Sequence, residues 1–451
     1  MSIKVALHNL GCKVNGYETE AMHQMLEKNG YEIVDFAPGA DVYIINTCTV
    51  TNIADRKSRQ MLHRARKMKP QALVVAAGCY VQAGAEKLEK DDAIDVIIGN
   101  NKKKDLLKIL EQYRKTGEKS HNLIDINHTK EYEEMTISRT TEHTRAYIKV
   151  QDGCNQFCSY CIIPFARGRV RSREKKDVLE EVKRLAAFGC REIVLTGIHL
   201  SSYGLDLEHE NLLTLLETVH QVEGIERIRL GSLEPGIITE EFAKALSGLP
   251  KVCPHFHLSL QSGCSRTLLA MNRRYTAQQY REKCEILRRY YEKPALTTDV
   301  IVGFPGETQE DFEESLRFVE EISFAEIHVF KYSRRHGTKA AAMEGQIPEQ
   351  IKGERSSRMI ALGERKKREY MEQFLGKELE ILTEEKISLD GATCWVGHTP
   401  RYLRAAVLDQ GQHSNELLSV QAETIGPDDT LMGRETDGVL RNSIEFSVDL
   451  Y

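Results

Sequence analysis

Two successive series of short apolar runs, each run separated from the next by an amphipathic stretch, constrain this 451-residue chain more than any other feature. Over residues 1–110, IKVALHNL, DVYIINT, ALVVAAG and DVIIG read as strands. ETEAMHQMLEKNG, ADRKSRQMLHRARKM and AGAEKLEKD read as the helices between them. Strict alternation of this kind predicts a parallel, doubly wound sheet. A longer series begins at AYIKVQ and continues through EIVLTG, RIRLGS, HFHLSLQS, TTDVIVG and EIHVFKYS. Six β/α units are too few for a closed eight-unit barrel and predict an open partial one. From Gly376 the chain changes to short β runs, which predict a small OB-like barrel. The expected fold class is therefore α/β. Its expected parts are an N-terminal domain over 1–115, a turn-rich linker over 116–142, a partial barrel over 143–373 and a β domain over 374–451.

Charge and composition exclude several classes. Lys and Arg number 62 against 67 Asp and Glu, a net charge of −5, so the chain is not a generally basic nucleic-acid binder. No stretch approaches the roughly 18 apolar residues of a membrane span. The N-terminal residues MSIKVALHNLGCKVN lack the long apolar run of a secretory signal, which predicts a cytoplasmic protein. Its eleven cysteines are then expected as reduced thiols, with unusual spacings pointing to metal or redox chemistry.

Cys154, Cys158 and Cys161 carry the strongest such signal. They lie on one loop just after a predicted strand, at the strand end where parallel sheets bind ligands. Thiolates suit iron–sulfur clusters and zinc, but no nearby fourth ligand completes a structural zinc set. Three thiolates on a four-iron cluster leave one iron open to substrate or cofactor. A second set is dispersed: Cys12, Cys48 and Cys79 each follow a different predicted strand of the first sheet, so their thiols can converge. Gly11 and Gly78 precede two of them and allow close backbone approach. Cys190, Cys253, Cys264, Cys284 and Cys394 match no motif and read as core or incidental residues.

The CNQFCSYC loop resembles the CxxxCxxC signature of radical S-adenosylmethionine (SAM) enzymes. LGCKVNGYETE, NTCTVTNIADRKSR and AAGCYVQ resemble the N-terminal domain of radical SAM methylthiotransferases, and the C-terminal segment resembles a TRAM domain. The resemblance covers essentially the whole chain. It implies two 4Fe–4S clusters, one on Cys154, Cys158 and Cys161 that cleaves SAM, and an auxiliary one on Cys12, Cys48 and Cys79 that takes part in sulfur insertion. It also implies two SAM per turnover and a flavodoxin or ferredoxin-type electron donor.

In a partial barrel the SAM pocket lies at the strand tops. Phe157, Tyr160, Thr196, Gly197, Glu234, Ser259, Gln261, Val302 and Gly303 are the expected contacts. The segment from Asp299 to Glu307 resembles the family's adenine-facing GxIxGxxE, with Val300 in its first Gly position. His199 and His336 are weaker candidates.

Seven basic residues and no acid lie between Arg56 and Lys69, and Arg167, Arg169, Arg171 and Arg173 follow Cys161. Arg56, Lys57, Arg64, Arg167, Arg169 and Arg171 are expected to meet RNA phosphates. Residues 374–451 hold six Lys/Arg and fourteen Asp/Glu, so RNA contact there must be local. Arg401 and Arg404 are its candidates, with Lys377 and His398 nearby and Trp395 and Tyr402 available for stacking.

An aromatic C–H has no acidic proton and no leaving group, so polar catalysis cannot replace it, whereas a carbon radical can abstract it. Two cluster sites on adjoining domains would supply radical and sulfur acceptor in one cavity. The substrate expected from the resemblance is N6-threonylcarbamoyladenosine at position 37 of the tRNA anticodon loop. N6-isopentenyladenosine and a ribosomal-protein aspartate are the family's other targets. A radical methylase without sulfur transfer and a non-enzymatic iron–sulfur scaffold are the rival classes. A carboxylate on the substrate would favour a nearby Arg or Lys, such as Arg334, Arg335 or one of the run from Arg167 to Arg173.

Overall fold

A computed structural model describes residues 2–140, 144–389, 391–408, 411 and 413–436. The first sheet holds β1 (Lys4–Asn9), β2 (Glu32–Ile33), β3 (Val42–Thr47), β4 (Leu73–Gly78), β5 (Val96–Ile98) and β6 (Ser120–Asn122). All pairs are parallel, in the order β2–β1–β3–β4–β5–β6. Helices α1 (Lys13–Lys28), α2 (Asn52–Met68), α3 (Cys79–Leu88) and α4 (Leu106–Thr116) make the crossovers. Strands β3 and β4 are buried at every position, as their unbroken apolar runs require. Thr51 starts α2 by accepting a hydrogen bond from the Ala54 amide, and the helix presents Arg56, Lys57 and Arg64 to solvent.

The stretch read as linker is structured. It supplies β6 to the sheet edge, then buries Met135 and Ile137. Glu133 accepts from the Asn101 and Lys104 amides, which ties the segment to the first domain.

Six parallel strands build the partial barrel: β7 (Arg145–Asp152), β9 (Glu192–Gly197), β10 (Arg227–Leu230), β11 (His255–His257), β12 (Ala295–Val302) and β13 (Glu326–Lys331). Single bridges from Ile228 to Val252 and from Leu233 to Leu258 join its two halves. Short β8 (Arg171–Ser172) runs antiparallel on the free edge of β7. The connecting helices are α5 (Ile163–Arg167), α6 (Lys175–Ala187), α7 (Leu212–His220), α8 (Glu240–Ser247), α9 (Ser265–Ala270), α10 (Ala277–Tyr290) and α11 (Gln309–Ile322), followed by long α12 (Glu349–Glu372). Alternation along β12 sorts its residues. Thr298 is bonded to Tyr280 of outer helix α10, so Thr297, Asp299 and Ile301 face the barrel interior. Register places Glu326, His328 and Phe330 of β13 on that same inner face.

The C-terminal domain is a closed barrel of β14 (Glu378–Leu389), β15 (Ala392–His398), β16 (Arg404–Leu408), β17 (Leu417–Gly426) and β18 (Thr430–Glu435). Residues 437–451 of the expected β domain, and 141–143 at the expected linker boundary, lie outside the described residues. Tyr402 docks this domain on the bottom of the partial barrel. Its ring stacks between His255 and His398, at centroid distances of 5.1 and 4.6 Å, under the guanidiniums of Arg145 and Arg229. Among the described residues, no helix is long and apolar enough to cross a membrane.

Candidate functional site

Cys154, Cys158 and Cys161 sit on the loop after β7, half-buried. Two backbone features shape that loop. Gly153 has a φ of +73°, and a Cβ there would lie 1.8 Å from the Arg169 carbonyl oxygen, so only glycine lets the loop leave β7. Phe157 adopts a φ of +52°, a left-handed conformation that costs a non-glycine residue about 1 kcal/mol. Asn272 donates to the Phe157 carbonyl oxygen at 2.9 Å and holds it there. Burial pushes the Cys154 thiol up to about 11 and Cys161 to about 12, and each also feels the Cys158 sulfur. Burial disfavours a free thiolate at Cys154 and Cys161, and a bound metal would supply the compensating charge, which fits a metal-ligand set.

Arg273 is the residue that sequence reasoning missed. Its Nη1 donates to Cys158 Sγ at 3.2 Å and its Nη2 to Glu234 Oε2 at 2.7 Å. It lies in the turn between α9 and α10, with no motif to announce it; the one available signal was an Arg-Arg pair beside a ligand face. Glu234 in turn sits 3.6 Å from His199 Nε2, and its amide donates to Ser201 Oγ at 2.8 Å. Gly197 approaches Gln151, whose Oε1 accepts from the His199 amide at 2.7 Å. Thr196 is buried beside it. The Ser259 carbonyl oxygen accepts from Tyr275 Oη at 2.6 Å. Gln261, at φ +68°, bridges to β12 and lines a pocket with Tyr160, Cys161, Asp299, Ile301 and Phe330.

Val302 and Gly303 stand apart from this group. Val302 is core, and its carbonyl oxygen accepts from the Tyr332 amide. The Gly303 amide donates to Glu307, and a Cβ there would strike Lys352 of α12. Both main-chain groups are used inside the fold, so from this strand the residues that face the cavity are Asp299 and Ile301. His336 is exposed.

The dispersed cysteines converge as the shared strand edge requires. Cys12 caps α1, Cys48 follows β3, and Cys79 opens α3 directly after β4. Gly11 has a φ of +111°, and a Cβ there would lie 2.9 Å from Cys48 Sγ, so glycine is what admits the second sulfur. Burial pushes the Cys48 thiol up to about 11, with Cys79 and Cys12 adding to the rise. Cys48 and Cys79 are buried, whereas Cys12 is open to solvent, so the set has one accessible side.

Arg167 joins this set to the partial barrel and is the main correction to the RNA reading. It is fully buried, as are Arg171 and Arg173. Arg167 Nε donates to Cys79 Sγ at 3.1 Å, while Nη1 reaches Glu18 Oε1 at 2.9 Å and Asp152 Oδ1 at 3.1 Å. Lys103 and Lys149 complete the network on Glu18. Burial penalises the Glu18 carboxylate, but Arg167, Lys103 and Lys149 outweigh it and hold the group well below the usual range. Four cations, including Arg171, face three carboxylates, Glu18, Asp152 and Glu133, in this interior. The excess positive charge is next to Cys79, which suits an anionic thiolate set. Arg171 donates to the carbonyl oxygens of Arg167 and Arg169, and Arg173 pairs with Glu134 and Glu181. None of the three faces solvent. The four do not share one side of an extended segment: Arg167 ends helix α5, Arg169 lies over Phe157, and Arg171 and Arg173 turn inward from β8 onwards.

The remaining RNA candidates divide. Arg56, Lys57 and Arg64 are exposed on α2. The half-buried Arg169 lies over the Phe157 ring at 4.5 Å. Arg401 donates to the carbonyl oxygens of Glu292 and Lys293 and braces two domains. Arg404 lies 3.7 Å from Glu385 and reaches Thr430. Trp395 is buried with its Nε1 donating to the Gly411 carbonyl oxygen, so it offers no stacking platform. Arg335 is likewise committed, to Thr49, Asn52 and Asp55 of the first domain. Cys190, Cys253, Cys264, Cys284 and Cys394 are all buried.

The profile of the Radical SAM superfamily matches residues 148–319, and that of Uncharacterized protein family UPF0004 matches residues 4–99. The chain is 42% identical over 402 residues to a Bacillus subtilis protein named threonylcarbamoyladenosine tRNA methylthiotransferase MtaB, covering 89% of each. An Aquifex aeolicus protein of the same name is 43% identical over 384 residues, covering 85% of this chain and 93% of the relative. A Finegoldia magna tRNA-2-methylthio-N(6)-dimethylallyladenosine synthase is 36% identical over 382 residues, covering 83% and 82%. Among solved structures, the radical SAM methyltransferase TsrM from Kitasatospora setae aligns with a TM-score of 0.56 at 18% identity, over 75% of this chain and 77% of that one, a likeness of fold. Two thiol sets on adjoining domains, with this identity over nine-tenths of the length, place the chain in the radical SAM methylthiotransferase family.

Proposed function

We propose that this protein is a tRNA methylthiotransferase that converts N6-threonylcarbamoyladenosine at position 37 to its 2-methylthio derivative. The observation that carries the reading is the identity of 42–43% to two relatives of that name, against 36% to the Finegoldia magna enzyme named for the dimethylallyl substrate. In this reading Cys154, Cys158 and Cys161 hold one 4Fe–4S cluster, and Cys12, Cys48 and Cys79 hold a second. Loaded with SAM and reduced by a flavodoxin or ferredoxin-type donor, the first cluster supplies a carbon radical able to take hydrogen from an aromatic C–H, while the second holds the sulfur.

The protein's own residues set the stage for that chemistry. Arg273 fixes Cys158 and Glu234 relative to each other. Glu234, Gln151 and Gly197 provide the polar strand-top surface for the charged methionine end of SAM. Arg167 locks the second thiol set to the barrel through Glu18 and Asp152, so the two sets keep a fixed separation. Exposed Arg56, Lys57 and Arg64 bring phosphate to the neighbouring helix.

Nucleoside mass spectrometry of bulk tRNA tests the reading. Cells lacking the gene are expected to lose 2-methylthio-N6-threonylcarbamoyladenosine and accumulate the unthiolated nucleoside, with both restored on complementation. Loss of the isopentenyl counterpart instead would reassign the substrate.

A further inference from the structure

The barrel interior carries a group of polar side chains that neither thiol set uses. His257, Asp299 and His328 come from β11, β12 and β13, and register puts all three on the inner face. Their nearest ligand atoms lie within 4.8 Å of one another. His257 Nδ1 is fixed by Thr297 Oγ1 at 3.0 Å, which aims its Nε2 at Asp299 Oδ2, 3.3 Å away. That Nε2 is buried and has no hydrogen-bond partner. The His328 ring stacks on His257 at 5.9 Å, and His328 itself is exposed on the open edge of the barrel.

Of this group, Asp299 reaches the cavity beside the first thiol set. Asp299 lines the same cavity, of about 260 Å3, as Cys161, Tyr160, Ile301 and Phe330. A half-buried ring nitrogen without a partner costs free energy unless something binds it. Polar groups that converge on an otherwise apolar cavity are the usual mark of a ligand site.

We propose that His257, Asp299 and His328 form the subsite for the polar N6 extension of the target adenine. This rests on the proposed function. An extension bearing a carboxylate, a hydroxyl and a urea needs donors and an acceptor. The imidazole N–H groups donate to the carboxylate, and Asp299 accepts from a hydroxyl or urea N–H. The apolar wall of Ile301, Phe330 and Tyr160 suits the base itself. An isopentenyl group would leave His328 and the remaining acceptor sites of Asp299 without partners, and a pocket built for hydrogen bonds rejects a partner that lacks them far more strongly than an apolar pocket rejects an added hydroxyl. Discrimination between the two tRNA substrates follows from that asymmetry.

The test uses the reconstituted holoenzyme and tRNA carrying either N6-threonylcarbamoyladenosine or unmodified adenosine at position 37. Equilibrium binding gives the ratio of the two affinities. The wild type is expected to prefer the threonylcarbamoyl tRNA by tenfold or more. Asp299→Asn and His328→Gln are expected to bring that ratio towards one, and iron and sulfide per chain report that each variant is folded. His328 lies on the exposed edge strand, so its variant serves should Asp299→Asn fail to fold. An undiminished ratio in the folded variants would overturn the proposal, as would a wild-type ratio of one. Loss of one non-cluster metal ion per chain in Asp299→Asn would overturn it too, in favour of a cation site on the same three residues. A wild type that makes no 2-methylthio product on threonylcarbamoyl tRNA would instead refute the proposed function.

Discussion

The two cysteine sets solve one problem in opposite ways. Cys154, Cys158 and Cys161 lie within eight residues on one loop, and their geometry depends on local backbone: the glycine turn at Gly153 and the left-handed Phe157. Cys12, Cys48 and Cys79 are separated by whole β/α units and meet only because a parallel sheet brings its strand ends to one edge. The first set is shaped within its own loop and braced from the turn between α9 and α10 by Asn272 and Arg273. The second needs the entire N-terminal sheet, and Arg167 from the other domain completes its surroundings. Each set nevertheless has one arginine N–H on one sulfur, Arg273 on Cys158 and Arg167 on Cys79. A loop-borne set leans on a few outside residues of its own domain, and a sheet-borne set is hostage to its interface.

That contrast orders the expected effects of substitution. Cys158→Ala is expected to remove both SAM cleavage and thiolated product, since nothing outside the loop can replace the ligand; anaerobic turnover analysed by chromatography checks this. Arg167→Met comes next. Glu18 and Asp152 keep Lys103, Lys149 and Arg171 but lose the hydrogen bonds of Arg167, which costs about 1–3 kcal/mol. Urea denaturation should show that destabilisation, and iron analysis should show depletion of the N-terminal set while SAM cleavage persists. Equal depletion of both sets would erase the distinction drawn between them. Arg273→Met acts on the local set without unfolding it. Removing an N–H···S bond disfavours the more negative reduced cluster. A bond worth about 1.4 kcal/mol corresponds to a fall of roughly 60 mV in the cluster potential, measured by EPR-monitored titration. The smallest effect is expected for Arg56→Glu with Arg64→Glu, on the exposed face of α2. tRNA binding should weaken, with the salt-dependence slope falling by about one for each phosphate that is no longer neutralised.

The same contrast explains what the amino-acid sequence made legible. The strands around the dispersed cysteines are apolar runs with a clear period, so their shared edge followed from topology, and so did the partial barrel and the small closed barrel. What escaped was whatever depends on which side of an extended segment faces inward. Arg167, Arg171 and Arg173 turn inward while Arg169 between them lies over Phe157, so a period of two neither placed the four on one side nor said whether a side meets RNA or another domain. Burial with Glu18, Asp152 and Glu181 decides it. Arg273 escaped because a turn between two helices carries no periodic signal. The polar interior group escaped for a related reason: His257, Asp299 and His328 come from three strands, and only their register brings them together. Short β2 and β6 were hidden in turn-rich sequence, because two or three residues show no period.

The division of labour between the sets is tested most directly by the Cys12→Ala/Cys48→Ala/Cys79→Ala variant after anaerobic reconstitution. Iron, acid-labile sulfide and SAM cleavage are measured on the same sample, with tRNA thiolation assayed in parallel. Iron is expected to fall from about eight to about four per chain, reductive SAM cleavage to continue, and no 2-methylthio nucleoside to form. Full iron retention, or thiolation at the wild-type rate, would refute that division.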